Sequence, residues 1–376
     1  ITTFIVAVIL FILGQSSVKG FATMLIINII LTIAILVYLE KYVILLFAKS
    51  GVFDNKINLF IGLSKKKIIP AKEVRIPFKK LDFVNSRKIM LPIILIVIVG
   101  GLTYSLIKGF NFAVDFTGGT SITVNTTDKV SLEGYTIDKI NSTKDSTTIT
   151  IKEKLNKDEV KELSEKLEEE YNTSADIYVV SDLVKKQLIK NAIIAVLVAF
   201  LGITAYVSIR FRFNYAISGI AALLHDVLIT TIFFGVFKLE IDSIFIAALL
   251  TIIGYSINDT IVTFDMIRRN YKNRKNIDKE KLKDIVNDSV RLTFFRSIMT
   301  TITTIIPIIC LIIFGASEIL NFNLALLVGF IAGVFSSIYV SNQLWLILES
   351  RRITKPKKEK KKLDEVEELK VKGVNC

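Results

Sequence analysis

The sequence is poor in the residues on which most soluble catalytic and metal chemistry depends. It holds one histidine and two cysteines in 376 residues. Cys310 lies inside an apolar run and Cys376 ends the chain, so neither a disulfide framework nor a CxxC metal site is available. There is no Walker A phosphate loop, dinucleotide fingerprint, zinc ligand set or serine triad. No cofactor and no metal is therefore expected, and energy for any work must come from a partner or from the membrane. The charged leader and cleavage site of a signal peptide are missing too. The first residue is Ile1, at or inside an apolar run, and a further N-terminal part is expected ahead of it.

What is abundant is apolar sequence. The hydrophobic fraction is 52% and the mean hydropathy is +0.54. Stretches such as Met90 to Leu106, Ala192 to Ile209 and Ile298 to Phe314 carry almost no charge. A bilayer core about 30 Å thick needs roughly 20 apolar residues as helix. The pattern recurs eight times, at about 1–13, 21–48, 89–108, 188–209, 214–237, 243–264, 297–315 and 322–348. A soluble enzyme is excluded, and an α-helical polytopic membrane protein is expected.

The net charge of +13 does not point to nucleic acid, because the basic residues gather in the connections between spans. Lys65, Lys66, Lys67, Lys79 and Lys80 lie in 49–88; Arg210 and Arg212 follow the fourth span; Arg268, Arg269, Lys272, Arg274 and Lys275 follow the sixth. Arg351 to Lys362 follow the eighth, in a charged tail, 349–376. All four connections fall on one side of the membrane, which the positive-inside rule makes cytoplasmic. The opposite side holds Gly14 to Gly20, Lys238 to Asp242, Ala316 to Asn321 and one large piece, 109–187.

That piece reads as a small α+β domain. Thr120 to Asn125, Thr147 to Lys152 and Asp176 to Val180 read as strands, and Leu132 to Ile151 as a strand pair. Lys157 to Tyr171 places Val160, Leu163 and Leu167 on one helical face. The predicted order is βββαβ, with one helix covering the sheet. An internal echo links Gly14 to Phe21 with Gly315 to Phe322: in each, a Gly precedes by seven residues a Phe that opens an apolar helix. Both copies face the same side, a parallel repeat. By that symmetry four more spans and another outer domain are expected ahead of Ile1.

Intramembrane charge marks the chemistry. Asp259 lies inside the sixth predicted span, in Gly254-Tyr255-Ser256-Ile257-Asn258-Asp259-Thr260. A carboxylate there is costly unless neutralised or paired, and such groups face the bundle interior or a water path. Ser256, Asp259 and Thr263 form one polar stripe, with a purely structural hydrogen bond between helices as the alternative. Arg296 begins the seventh predicted span at a matching depth; it either pairs with Asp259 or snorkels to the interface. Asp226 follows His225 in the fifth span, a second polar contact to a pathway, whereas His225 reads as a packed, hydrogen-bonded residue whose ring need not touch Asp226. Gly329 and Gly333 form a GxxxG face for close helix packing. An ion gradient suffices as energy source, since one charge moved through 100 mV is worth about 2.3 kcal/mol.

Val114-Asp115-Phe116-Thr117-Gly118-Gly119-Thr120, just outside the third span, resembles the signature of SecF, the auxiliary subunit of the bacterial Sec protein translocase. Gly118 and Gly119 permit a tight turn from helix to strand. Leu224-His225-Asp226-Val227, Gly254 to Asp265 and Ser336-Ser337-Ile338-Tyr339-Val340 match the family in order and spacing, over about residues 83–348. Residues 1–48 resemble the last hairpin of SecD, including Val18-Lys19-Gly20-Phe21. The whole thus looks like the C-terminal portion of a fused SecDF, within the resistance-nodulation-division superfamily. The resemblance implies one SecF-like span at 89–108, a ferredoxin-like extracytoplasmic domain at 109–187 that meets preprotein, and five spans in 188–348. It implies a bacterial plasma-membrane location and, as partners, the SecD half, the SecYEG channel, SecA, unfolded preprotein and membrane lipids. It makes Asp259 the proton-carrying carboxylate and Arg296 its cationic neighbour, with Asp226, Asn258, Ser256 and Thr263 along the path. Whether the ion is a proton or sodium stays open. The rivals are an ion-driven exporter of small molecules or lipids, for which an outer domain of about 80 residues is small, and a passive scaffold.

Overall fold

The computed structural model describes residues 2–14, 16–51, 78, 81–126, 130, 132, 134–142, 146–274 and 277–354. Most of the basic 49–88 linker, with Lys65 to Lys67, Lys79 and Lys80, lies outside the described residues, as do Lys275 and the tail from 355.

Among the described residues seven helices are long and apolar enough to cross a membrane, where eight spans were expected. The first predicted span is α1 (Thr2–Leu13), apolar throughout but only 12 residues long. It is followed by α2, Ser16–Ala34, which continues through a π-helical stretch, Ile35–Leu39, into Glu40–Lys49. Then come α3 (Arg87–Lys108), a single turn α4 (Val114–Thr117) and α5 (Lys157–Tyr171). The remaining spans are α6 (Asp182–Arg210), α7 (Phe213–Phe237), α8 (Ser243–Lys272) and α9 (Lys279–Phe314). The last, α10, runs Leu320–Phe335, passes through a π-helical stretch, Ser336–Ser341, and ends as Asn342–Thr354.

Two helices extend well past the predicted spans. The 243–264 span is part of the 30-residue α8, and the 297–315 span is the second half of the 36-residue α9. The reason lies in the extension itself: Leu282, Ile285, Val286 and Val290 bury one face of the charged 279–296 stretch, so it is amphipathic helix that a hydropathy window passes over. Asp259 and Arg296 consequently sit near the middles of their helices, not at span ends.

The small α+β domain has the predicted βββαβ order. Strands β2 (Gly119–Val124), β3 (Ile137–Ser142), β4 (Thr147–Ile151) and β5 (Ala175–Val180) form one sheet in the order β3-β4-β2-β5, every neighbouring pair antiparallel. β4, α5 and β5 make a split β-α-β unit around β2, as in ferredoxin-like folds. Leu163 and Leu167 of α5 pack onto Ile122, Val124, Ile149 and Ile151 as a core separate from the bundle. Asn156 starts α5 with a capping box closed by Glu159, which satisfies its first free N–H groups.

A narrow clasp joins this domain to the bundle. β1 (Asn111–Phe112) pairs in parallel with β6 (Glu240–Ile241), the segment that leads into α8. Lys139 of β3 donates to Asn111 Oδ1 and to the Phe112 carbonyl, both at 2.6 Å. The Asp115 carboxylate accepts the Ser243 backbone N–H at 2.9 Å, and Lys185 Nζ donates to the Thr117 carbonyl at 2.9 Å. Phe116 packs against the bundle core beside Phe245. Gly118 (φ +78) and Gly119 (φ +122) make the turn into β2, and a Cβ on Gly119 would meet the Ile151 carbonyl oxygen at 2.4 Å. The two glycines are thus required by backbone conformation, and at Gly119 by close approach as well.

Candidate functional site: two carboxylates inside the helix bundle

The spans that carry charge are the ones packed at the centre. α8 is the most enclosed of the seven, with α10 and α7 next. Small residues make this possible. A Cβ on Gly329 of α10 would overlap the Ile252 side chain of α8 at 2.3 Å, and one on Gly333 would lie 3.0 Å from Ser256 Oγ and 3.7 Å from an Asp226 oxygen. The GxxxG face therefore packs as predicted. Its second glycine also leaves the room in which a carboxylate is hydrogen-bonded.

That carboxylate is Asp226, midway along α7 and fully buried. Ser256 Oγ of α8 and Ser336 Oγ of α10 both donate to its Oδ2, at 2.5 and 3.0 Å. His225 Nδ1 lies 2.9 Å from Oδ1, so the adjacent side chains do meet, although successive helical residues point about 100° apart. The His225 ring is 6% exposed and stacks on Phe335, the packed, hydrogen-bonded role expected of it. Thr230 folds back on the Asp226 carbonyl at 2.8 Å.

Asp259 of α8 is half-buried, and its two oxygens are held separately. Ser297 Oγ of α9 donates to Oδ1 at 2.7 Å, and Ser337 Oγ of α10 to Oδ2 at 2.9 Å. Thr263, one turn on, meets Thr293 of α9 at 3.3 Å. Among the described residues no ion pair within 4 Å joins Asp259 to Arg296; the neighbouring Ser297 occupies that place. Arg296 and Asn258 are both exposed, so the site is closed by α7, α8, α9 and α10 but open on one flank. α1 covers α8 just above: Thr2 and Thr3 donate to the Gly254 carbonyl at 3.2 and 3.4 Å.

Of the predicted residues, Ser256 and Asp226 are brought together, and Asp259 and Thr263 share one face of α8 against α9. Asn258 and Arg296 stand on the open flank. Sequence reasoning missed Ser297, Ser336 and Ser337 as site residues. The signal was present for the last two: consecutive serines in an apolar span, just after the GxxxG pair. Successive positions diverge in direction, and these two open a π-helical stretch, so one helix serves two carboxylates on two other helices. The result is a line of polar side chains inside the bundle, His225–Asp226–Ser336 on one side and Ser337–Asp259–Ser297 on the other, joined through the backbone of the consecutive serines. Hydroxyls both donate and accept, so such a line can hold an ion or pass a proton. No group of three or more His, Cys, Asp or Glu suited to a metal occurs among the described residues.

Comparison with known proteins agrees with this architecture. Residues 159–351, which is 193 of 376, match the C-terminal region of the protein export membrane proteins SecD and SecF, and residues 104–130 match the SecD/SecF GG motif. The chain belongs to the SecD/SecF family. Its Asp115 to Gly119 clasp is that family's GG motif region. The Bacillus subtilis protein translocase subunit SecDF is 41% identical over 373 residues, covering 94% of this chain and 50% of that protein. SecF of Sebaldella termitidis is 37% identical over 272 residues, covering 68% of this chain and 86% of its own length. The crystal structure of a Thermus SecDF, a translocon-associated membrane protein, superposes with a TM-score of 0.76 at 28% identity, covering 93% of this chain and 47% of that one. The chain thus spans about half the length of the SecDF proteins it matches. It is a multi-pass membrane protein that carries the SecF half of a SecDF.

Proposed function

We propose that this chain serves, with a SecD half, as an auxiliary subunit of the Sec translocase. In this reading it uses the proton or sodium motive force to promote export of preproteins through the SecYEG channel after SecA has begun their insertion. Supporting this most directly is the pair of carboxylates in mid-bundle, Asp226 and Asp259, each oxygen of which has a hydrogen-bond partner. A carboxylate placed there without function would be a standing cost to insertion. Asp259 is the ion-carrying group, since it borders the open flank where Asn258 and Arg296 stand and where a SecD half would close the site. Arg296 then acts from that flank as a nearby positive charge that helps release the ion. The α+β domain lies outside the cytoplasm of a bacterial plasma membrane, the C-terminal tail inside, and preprotein meets the former.

The test uses the complete fused chain in membrane vesicles with SecYEG and SecA. Translocation is started with ATP, ATP is removed, and gradient-dependent completion is followed for wild type and Asp259→Asn. The expected result is normal assembly with the gradient-dependent phase lost. Completion at the wild-type rate would make Asp259 structural and end the coupling proposal for this half.

A further inference from the structure

The end of the bundle opposite the sheet domain carries a cavity unrelated to the two carboxylates. Its volume is about 260 Å³, and it lies between the α6–α7 turn and the last turns of α8 and α10. Its mouth is basic: Arg210, Arg212, Arg268 and Lys272 line it. Its floor is aromatic, with Tyr215 and Trp345 4.9 Å apart and Tyr271 edge-on to Trp345 at 6.3 Å.

Three observations say what it takes. First, the positive charge is not neutralised from within. Glu349, 2% exposed, is the one acid on the wall, and it is committed to Arg352 at 2.5 Å and Asn214 at 2.8 Å, with Arg212 at 3.9 Å. Arg268 shares Asp265 with Arg269. Among the described residues Arg210 and Lys272 have no acidic partner within 4 Å; the Arg210 guanidinium merely lies 5.6 Å from the Phe211 ring. Second, the floor is sealed by aromatic packing, with Trp345 1% exposed against Tyr215 and Tyr271. Third, the rim is apolar on the bilayer side: Ile209, which lines the cavity, is 88% exposed, and Phe213 beside it is 68% exposed. Cations at one end, with exposed apolar side chains at the other, match an amphiphile and not a free anion.

We infer that this cavity is a binding site for an anionic phospholipid, its phosphate held by Arg210, Arg212, Arg268 and Lys272 and its acyl chains lying along Ile209 and Phe213. Basic pockets between spanning helices on the cytoplasmic side are suited to such headgroups. The site differs from general lipid contact in being selective for charge. It rests on none of the ion-coupling residues, so it stands or falls independently of them.

The chain reports on its own cavity, because Trp345 is its single tryptophan. The purified chain in detergent is titrated with phosphatidylglycerol, phosphatidylcholine and inorganic phosphate while Trp345 emission is followed. Phosphatidylglycerol should change the emission saturably, with no saturable change from the other two. Arg210→Gln/Lys272→Gln should weaken the phosphatidylglycerol midpoint roughly thirtyfold, two surface cations having been removed. Arg269→Gln, an exposed neighbour outside the cavity, should leave it unchanged and controls for general charge. Native mass spectrometry of the same variants should show one retained phosphatidylglycerol lost in the double variant alone. Equal responses to both lipids would reduce the cavity to an apolar slot, and saturation by inorganic phosphate would make it a free-anion site. Either result, or an unchanged midpoint in the double variant, overturns the inference.

Discussion

Gly329→Ala tests whether the carboxylate-bearing helices are held at the separation described above. The new methyl group would lie 2.3 Å from Ile252 Cδ1, 2.4 Å from Cγ1 and 2.9 Å from Cγ2. Carbon atoms in good contact sit about 3.5–4.0 Å apart, so the shortfall exceeds about 1 Å for two atoms of one side chain. Ile252 cannot yield easily: it is fully buried, and a β-branched residue in a helix has essentially one χ1 rotamer. The helices must part instead, at a cost of about 2–3 kcal/mol, the upper part of the range for overpacked cores. Ile252→Ala alone opens a cavity and costs about 2–5 kcal/mol. If both describe one contact, the double variant is more stable than the sum of the two losses by at least about 1 kcal/mol. Unfolding in detergent followed by Trp345 fluorescence measures all four corners. Additive losses to within about 0.5 kcal/mol would refute the reasoning, since they would mean that residues 329 and 252 do not share space.

Asp226→Asn preserves the shape and every partner, its amide oxygen accepting from Ser256 and Ser336 and its amide nitrogen facing His225; stability should change by less than about 1 kcal/mol. Asp226→Ala strands all three groups and should cost about 3 kcal/mol or more, measured in the same unfolding assay. Asp242, which caps α8 by accepting the Phe245 N–H at 2.7 Å, is raised by burial, with Asp115 and Glu240 adding repulsion, to about 6 from an ordinary 3.8. Its proton is therefore held more tightly in the folded state, so stability present below about pH 4 is lost as pH rises through 6; allowing for partial solvation, that amounts to about 1–2 kcal/mol. Asp242→Asn keeps a capping acceptor and should flatten this slope in melting temperatures taken from pH 4 to 7.5. Gly119→Ala forces a side chain into left-handed backbone and against the Ile151 carbonyl, and should destabilise the sheet domain by more than about 2 kcal/mol, seen as faster amide exchange in β2 and β4 with the bundle unaffected.

Much of this architecture was legible because single physical rules govern it. Apolar runs of bilayer length gave the spans, the strand expected at Thr147 to Lys152 is observed at Thr147–Ile151, and the Val160–Leu163–Leu167 spacing gave α5 with its observed ends. The amphipathic first half of α9 was not legible as part of a span, because its buried face is only one stripe of a charged segment. Asp259 and Asp226 stood out since charge inside a bilayer is expensive. Their actual partners did not, because serine is unremarkable in composition and its role depends on which helix turns towards which. The expected match in depth between Asp259 and Arg296 came from span ends set by hydropathy alone. With both residues in mid-helix, the adjacent Ser297 is the one in reach.

The clasp has a mechanical consequence. α8 begins at the residue whose N–H is tied to Asp115, and Asp259 lies sixteen positions further on, about 24 Å along a rigid helix at 1.5 Å per residue. α8 is thus a lever with its short end pinned under the sheet domain. A tilt of only about 10° at the pivot would carry Asp259 sideways by about 4 Å over that length. The Ser297 and Ser337 hydrogen bonds, at 2.7 and 2.9 Å, could not survive such a stroke. A swing of the sheet domain that tilted α8 would therefore also loosen the Asp259 carboxylate, and a change at the carboxylate would be felt at the clasp.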